Sequence, residues 1–147
     1  MKSAKREQSE VPTRCRYCGA PIVRRSADGI YRRNHDHVKL YVCARYPACD
    51  AYVRIDPLSG RPVGTLANAR LRAMRRKAHE SFDQLYRTGY MSKNDAYFWL
   101  AVNLCVPKAR AHIGYLDEYY CEQVIQLSKK ELNGWEVRKR MTGGISA

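Results

Sequence analysis

Four cysteines in two close pairs constrain this chain more than any other feature of it. Cys15-Arg-Tyr-Cys18 is a CxxC, Cys43 to Cys49 is a second pair, and residues 19–42 separate them. A tetrahedral zinc site takes four thiolates at about 2.3 Å, and two short turns that each carry two sulfurs supply that geometry. Gly19 follows the first pair and tolerates the positive φ that lets a knuckle aim backbone N–H groups at sulfur. The β-rich stretch around these pairs, residues 14–55, is too short to bury a self-sufficient core, so it needs a staple. A redox CxxC would require a βαβ setting, and no helical pattern follows Cys18. An iron–sulfur cluster also uses four cysteines. Spacing and a reducing compartment point instead to one structural Zn2+ held by Cys15, Cys18, Cys43 and Cys49. His35 and His37 read as exposed loop residues, because four thiolates already complete the tetrahedron. Cys105 and Cys121 sit among apolar residues and read as core.

The rest of the chain divides by its periodicity. Ile22–Arg25, Lys39–Val42 and Ala51–Ile55 are rich in β-formers, with a hairpin turn expected at Asp28-Gly29. Two prolines and two glycines between Asp56 and Gly64 read as a turn or linker. Leu71, Met74, Ala78, Phe82 and Leu85 then recur at helical spacing, after Thr65 as N-cap and before Gly89 as the residue that closes the helix. Ser92 with Asp95 looks like a capping box for a second helix stopped by Pro107, and a third helix is expected from Asp117 to Gly134. The predicted fold class is therefore α+β: an N-terminal zinc ribbon of short antiparallel strands over 14–56, a linker at 57–64, and about three helices over 65–134. Residues 1–13 read as a disordered basic arm and 135–147 as a flexible tail.

Charge says what such a scaffold could meet. The sequence of 147 residues carries 27 Lys and Arg against 14 Asp and Glu, a net +13. Residues 1–90 hold 19 of those cations and 8 of the acids, so a polyanion is expected to bind in the first two-thirds of the chain. There the ribbon interleaves rings and cations. Tyr17, Tyr41, Tyr46 and Tyr52 are candidates for stacking on bases, and Arg16, Arg24, Arg25, Arg32, Arg33 and Arg45 for contacting phosphates. Tyr31, Arg54 and Lys39 belong to the same pattern. Arg72, Arg75 and Arg76 extend the cationic surface along the first helix, opposed only by Glu80 and Asp83. No run of 18 apolar residues exists and the N-terminus lacks an apolar h-region, so neither a membrane span nor a secretory signal is expected. The expected location is the cytoplasm.

The cysteine segments resemble a known family. Cys15-x-Tyr-Cys18-Gly19-Ala-Pro-Ile-Val, followed by Val42-Cys43-Ala-Arg-Tyr46-Pro47-Ala-Cys49-Asp-Ala-Tyr52-Val, is similar to the four-cysteine zinc ribbons at the C-terminus of bacterial type IA topoisomerases. That resemblance covers about 40 residues and implies a module that binds single-stranded DNA by stacking and phosphate contacts. The middle, including Asn34 to His37, is longer here, and no strand-cleaving region is present. Over residues 14–128 the chain resembles a small family of phage and prophage zinc-finger-containing proteins, with Gly64 to Asn68 and Met91 to Leu100 as further points of likeness. An origin in a virus or mobile element, acting in a bacterial host cytoplasm, is what that resemblance implies.

Catalysis is not expected. No phosphate-binding glycine loop, nucleophile elbow, HExxH or paired-acid motif occurs, and four cysteine ligands leave zinc no open position. An HNH-like nuclease would need a histidine beside a knuckle, and only His35 and His37 are available. The expected function is non-enzymatic binding of single-stranded or structured DNA. The alternative is an adaptor or inhibitor of a host protein, with the ribbon as scaffold. The second and third helices favour that alternative in one respect, since Tyr97, Phe98, Trp99, Tyr115, Tyr119 and Tyr120 are a surplus of the ring types enriched at protein interfaces. Their connection is too long for a helix-turn-helix.

Overall fold

A computed structural model describes residues 10–143, which fall into two compact units, one ending at Ala73 and one beginning at Met74. The first unit holds three antiparallel strands in the order β1-β2-β3: β1 (Ile22–Ser26), β2 (Lys39–Cys43) and β3 (Tyr52–Arg54). Val23 pairs with Val42 and Arg25 with Leu40, while Tyr41 pairs with Val53 and Val42 with Tyr52. Side chains alternate across a strand, so Ile22, Arg24, Tyr41, Cys43 and Val53 share one face. Val23, Arg25, Leu40, Val42, Tyr52 and Arg54 share the other. Every residue of β2 after Lys39 is buried, which is why its sequence is a continuous apolar run rather than an alternation. One face packs Tyr41, Cys43 and Val53 with Cys15, Ile55 and Leu66. The other packs Leu40 and Val42 under Ile30, Tyr31, Tyr46 and Tyr52.

The expected hairpin is more elaborate than a two-residue turn. The chain does turn at Asp28-Gly29, with Gly29 at φ +83° and the Ile30 amide donating to the Ala27 carbonyl at 3.0 Å. It returns to the sheet only at Lys39. In between, Asn34 ties the loop together. Its Nδ2 donates to Asp28 Oδ1 at 3.0 Å and to the Val38 carbonyl at 3.2 Å, and its Oδ1 accepts from the Val38 amide at 2.7 Å.

Residues 57–64, expected as a linker, belong to the ribbon. Ile55 bridges Pro62, the Val63 amide donates to the Arg54 carbonyl at 2.9 Å, and Tyr52 bridges Ala67. Backbone pairing that reaches Ala67 also moves the start of α1 (Ala69–Arg87). Asn68 caps it, its Oδ1 accepting from the Leu71 amide at 2.9 Å, and the expected cap Thr65 lies in the sheet-edge segment instead.

The second unit contains the rest of α1, then α2 (Lys93–Leu104), two 3-10 turns (Lys108–Arg110 and Ile113–Tyr115) and α3 (Glu118–Gly143). Gly89 follows α1 at φ +84°, as its position promised. Ser92 caps α2, accepting from the Asp95 amide at 3.1 Å. Phe82, Leu85, Leu100, Ile113 and Val124 are fully buried. The Tyr97 ring meets Phe82 edge-on at 5.0 Å.

Two expectations fail in this unit. Cys121 is core, but Cys105 is exposed. It is the left-handed C-cap of α2 at φ 55°, with its amide on the Ala101 and Val102 carbonyls, so the helical spacing that predicted its burial ends before it. The second concerns α3, which runs through Gly134 to Gly143 instead of yielding to a loose tail. A mid-helix glycine costs about 1 kcal/mol relative to alanine, and ring contacts outweigh it. Trp135 stacks on Tyr90 at 5.0 Å, Lys139 lies 4.9 Å over the indole, and Tyr90 donates to Glu131 Oε1 at 2.6 Å. Residues 1–9 of the expected arm and 144–147 of the expected tail lie outside the described residues. Among the described residues, no helix is long and apolar enough to cross a membrane.

Candidate metal centre

Two turns bring the four sulfurs together. In the first, the Cys15 amide donates to the Ala20 carbonyl at 2.8 Å and the Gly19 amide to the Cys15 carbonyl at 2.9 Å, with Gly19 at φ +77°. In the second, the Tyr46 amide donates to the Cys43 carbonyl at 2.9 Å and the Cys49 amide to the Arg45 carbonyl at 3.2 Å. Pairing of Ile22 with Cys43 joins the turns, because Ile22 lies just past the first and Cys43 opens the second.

The sulfurs of Cys15, Cys18, Cys43 and Cys49 all lie within 4.8 Å of one another. Cys15 Sγ is 3.7 Å from Cys49 Sγ, and Cys18 Sγ is 3.4 Å from Cys43 Sγ. A tetrahedron with metal–sulfur bonds of about 2.3 Å has edges of about 3.8 Å. The donor set therefore fits zinc in number, chemistry and spacing. Backbone hydrogen bonds complete the shell around it. The Tyr17 amide donates to Cys15 Sγ at 3.4 Å, and backbone bonds from Ala20, Arg45 and Ala51 reach Cys18, Cys43 and Cys49. The bond from Ala20, reinforced by the Cys43 sulfur, lowers the Cys18 thiol to about 7. Burial pushes Cys43 up to about 12 and raises Cys49 as well. Four thiolates held this close repel one another, and a cation at their centre offsets that repulsion, which gives Zn2+ its structural role. With four protein ligands the site is closed to water. His35 and His37 are exposed and lie outside the cluster.

The other sequence-predicted residues divide into those the fold leaves at the surface and those it uses internally. Tyr41 is buried, with its hydroxyl on the Gly60 carbonyl at 2.7 Å, so its ring cannot stack on a base. The alternation that puts it on the face of Cys43 explains why. Tyr31, Tyr46 and Tyr52 lie over the opposite face, with Tyr52 edge-on to both neighbours at 6.2 and 6.5 Å. Arg25 is 6.0 Å from the Tyr46 ring centroid, and Arg54 shares the face. Arg72 lies 3.7 Å over Tyr52, and its Nη1 donates to the Asp50 carbonyl at 2.7 Å and the Ala67 carbonyl at 2.6 Å. It is therefore a structural tie rather than a cation awaiting a phosphate. Arg75 in the second unit is likewise engaged, its Nε on the Leu116 carbonyl at 3.1 Å. Tyr17 is exposed beside the first knuckle, with Arg16 5.3 Å from its ring. Arg24, Arg32, Arg33, Arg45 and Arg76 are exposed. Leu58, in the Asp56-Pro57-Leu58-Ser59-Gly60 turn, is also exposed.

No curated protein and no solved structure matches the chain. One family model does, over residues 11–131, from the first described turns of the ribbon well into α3. With the four-sulfur site built inside that span, the chain belongs to the zinc-finger-containing domain family DUF3268.

Proposed function

We propose that this protein is a non-enzymatic binder of single-stranded or structured DNA, with its zinc ribbon as the contact surface. The observation that carries the reading is the ring-bearing face of the sheet. Tyr31, Tyr46 and Tyr52 form a row there over Leu40 and Val42, and Arg25 and Arg54 stand on the same face. Rings and guanidinium groups on one surface are what a single strand requires: stacking worth about 1–3 kcal/mol per base, plus phosphate neutralisation. The net charge of +13 and the likeness to single-strand-binding ribbons support the same reading. Zinc acts only as scaffold in it, because its four ligands leave no catalytic position. The likeness to phage and prophage proteins adds the setting, a virus- or mobile-element-encoded protein in a bacterial cytoplasm.

Fluorescence anisotropy of a labelled single-stranded oligonucleotide, titrated with the zinc-loaded full chain, tests the proposal. Affinity should fall with salt on a log–log slope of several units. Tyr46→Ala should weaken binding by about 1–3 kcal/mol while zinc stays bound. Micromolar protein giving no change at low salt would sink the reading. A second reading, an adaptor or inhibitor of a host protein, is favoured by Phe98 and Val102. They stand one turn apart on α2, each 60% exposed. In that case a host protein is captured without nucleic acid, and Phe98→Ala releases it.

A further inference from the structure

Leu58 is 96% exposed, at the tip of a turn that the chain holds unusually firmly. The Asp56 amide donates to the Arg61 carbonyl and the Gly60 amide to the Asp56 carbonyl, both at 2.8 Å. The Asp56 carboxylate accepts from the Leu58 amide at 3.1 Å and the Ser59 hydroxyl at 3.0 Å, and the Arg61 amide donates to Ser59 Oγ at 3.2 Å. Tyr41 anchors the turn from beneath through its bond to the Gly60 carbonyl at 2.7 Å. Pro57 fixes one further dihedral. A loop fixed this well loses little conformational freedom when its tip is buried against a partner. Single exposed apolar residues are ordinary on protein surfaces, but this one is presented by a rigid mount.

Its surroundings identify the partner. Lys39 and Arg54 are exposed on the strands that lead to the turn, Arg54 on the tyrosine face and Lys39 on the face of Tyr41, and Arg61 is exposed at its end. The Ile55 amide bonds the Lys39 carbonyl, and Asp56 pairs with Arg61. Asp56, within the turn, has its carboxylate turned to the loop's own N–H and O–H groups. An apolar tip on a cationic stem suits stacked bases flanked by phosphates, and leucine is among the side chains that proteins insert between base steps. β3 leads from Tyr52 to this turn, and four residues of extended chain span about 13 Å, roughly four stacked bases at 3.4 Å each.

We propose that Leu58 is an intercalating wedge that opens the first base pair where single strand meets duplex, while the unpaired strand lies on the tyrosine face. This rests on the nucleic-acid reading above. The test uses the zinc-loaded full chain and a forked DNA carrying 2-aminopurine at the first pair, with anisotropy and 2-aminopurine emission followed together. Wild-type protein should prefer the fork over the single strand by about tenfold and raise the emission, as an unstacked base does. Leu58→Ala should abolish both effects yet keep single-strand affinity within about twofold, and Leu58→Phe should restore them. Equal fork affinity and equal emission for wild type and Leu58→Ala would overturn the wedge alone. Absence of any anisotropy change for wild type on either DNA would overturn the nucleic-acid reading, and the wedge with it.

Discussion

The two units of this chain solve the same problem of holding a small fold together by different means. The ribbon has a three-stranded sheet with an apolar cluster on each face, neither of them large. Below about 70–80 residues an apolar core rarely supplies more than 3–5 kcal/mol. Its zinc site makes up the difference, since structural zinc is worth about 10–16 kcal/mol in isolated fingers. The helical unit has no metal cluster among its described residues and relies on Phe82, Leu85, Leu100, Ile113 and Val124, all fully buried. The lesson is that a surface can be crowded with arginine where a metal, rather than burial, fixes the fold.

The largest effect that would break this contrast is loss of the ion. Chelation, or Cys43→Ser, should unfold the ribbon and leave most of the helical circular dichroism in place, with metal analysis showing that zinc has left. Collapse of both units together would mean that the helical core does not stand by itself. The reciprocal change is smaller. Phe82→Ala should cost about 3–5 kcal/mol, lowering the helical transition while zinc remains bound. Smallest is a pH effect in the ribbon loop. The hydrogen bonds from Asn34 and Ser26, then the charge of His37, hold the Asp28 carboxyl below its usual value of 3.8. A carboxylate with a depressed folded pKa stabilises the fold above its unfolded pKa, and that contribution disappears as pH falls through the folded value. The amides of Ala27 to Val38 should therefore lose exchange protection first on acidification below about pH 4, and Asn34→Ala should move that loss to higher pH.

The four ligands, the three strands and the Ser92 cap were legible because each depends on residues close in sequence. What escaped depends on pairing across the chain. Thr65 and Asn68 are both good caps, and the pairing of Tyr52 with Ala67, with the bond from the Ala69 amide to Asp50, decides for Asn68. Gly134 is a fair stop signal until Trp135 meets Tyr90. Tyr41 could have been excluded as a base-stacking ring from parity alone, because it shares a face with Cys43 rather than with Leu40 and Val42. The engagement of Arg72 by the Asp50 and Ala67 carbonyls could not, since it joins residues 67–72 to a stretch more than fifteen residues earlier.

That engagement makes the rings of the tyrosine face unequal. With one side of Tyr52 already covered by a guanidinium fastened to two carbonyls, the positive potential there is built in and no counterion can shift its source. A strand bound as proposed would meet a fixed cation at Tyr52 and, at Tyr46, Arg25 standing further off. One position would set where the strand lies, and the other how firmly it is held.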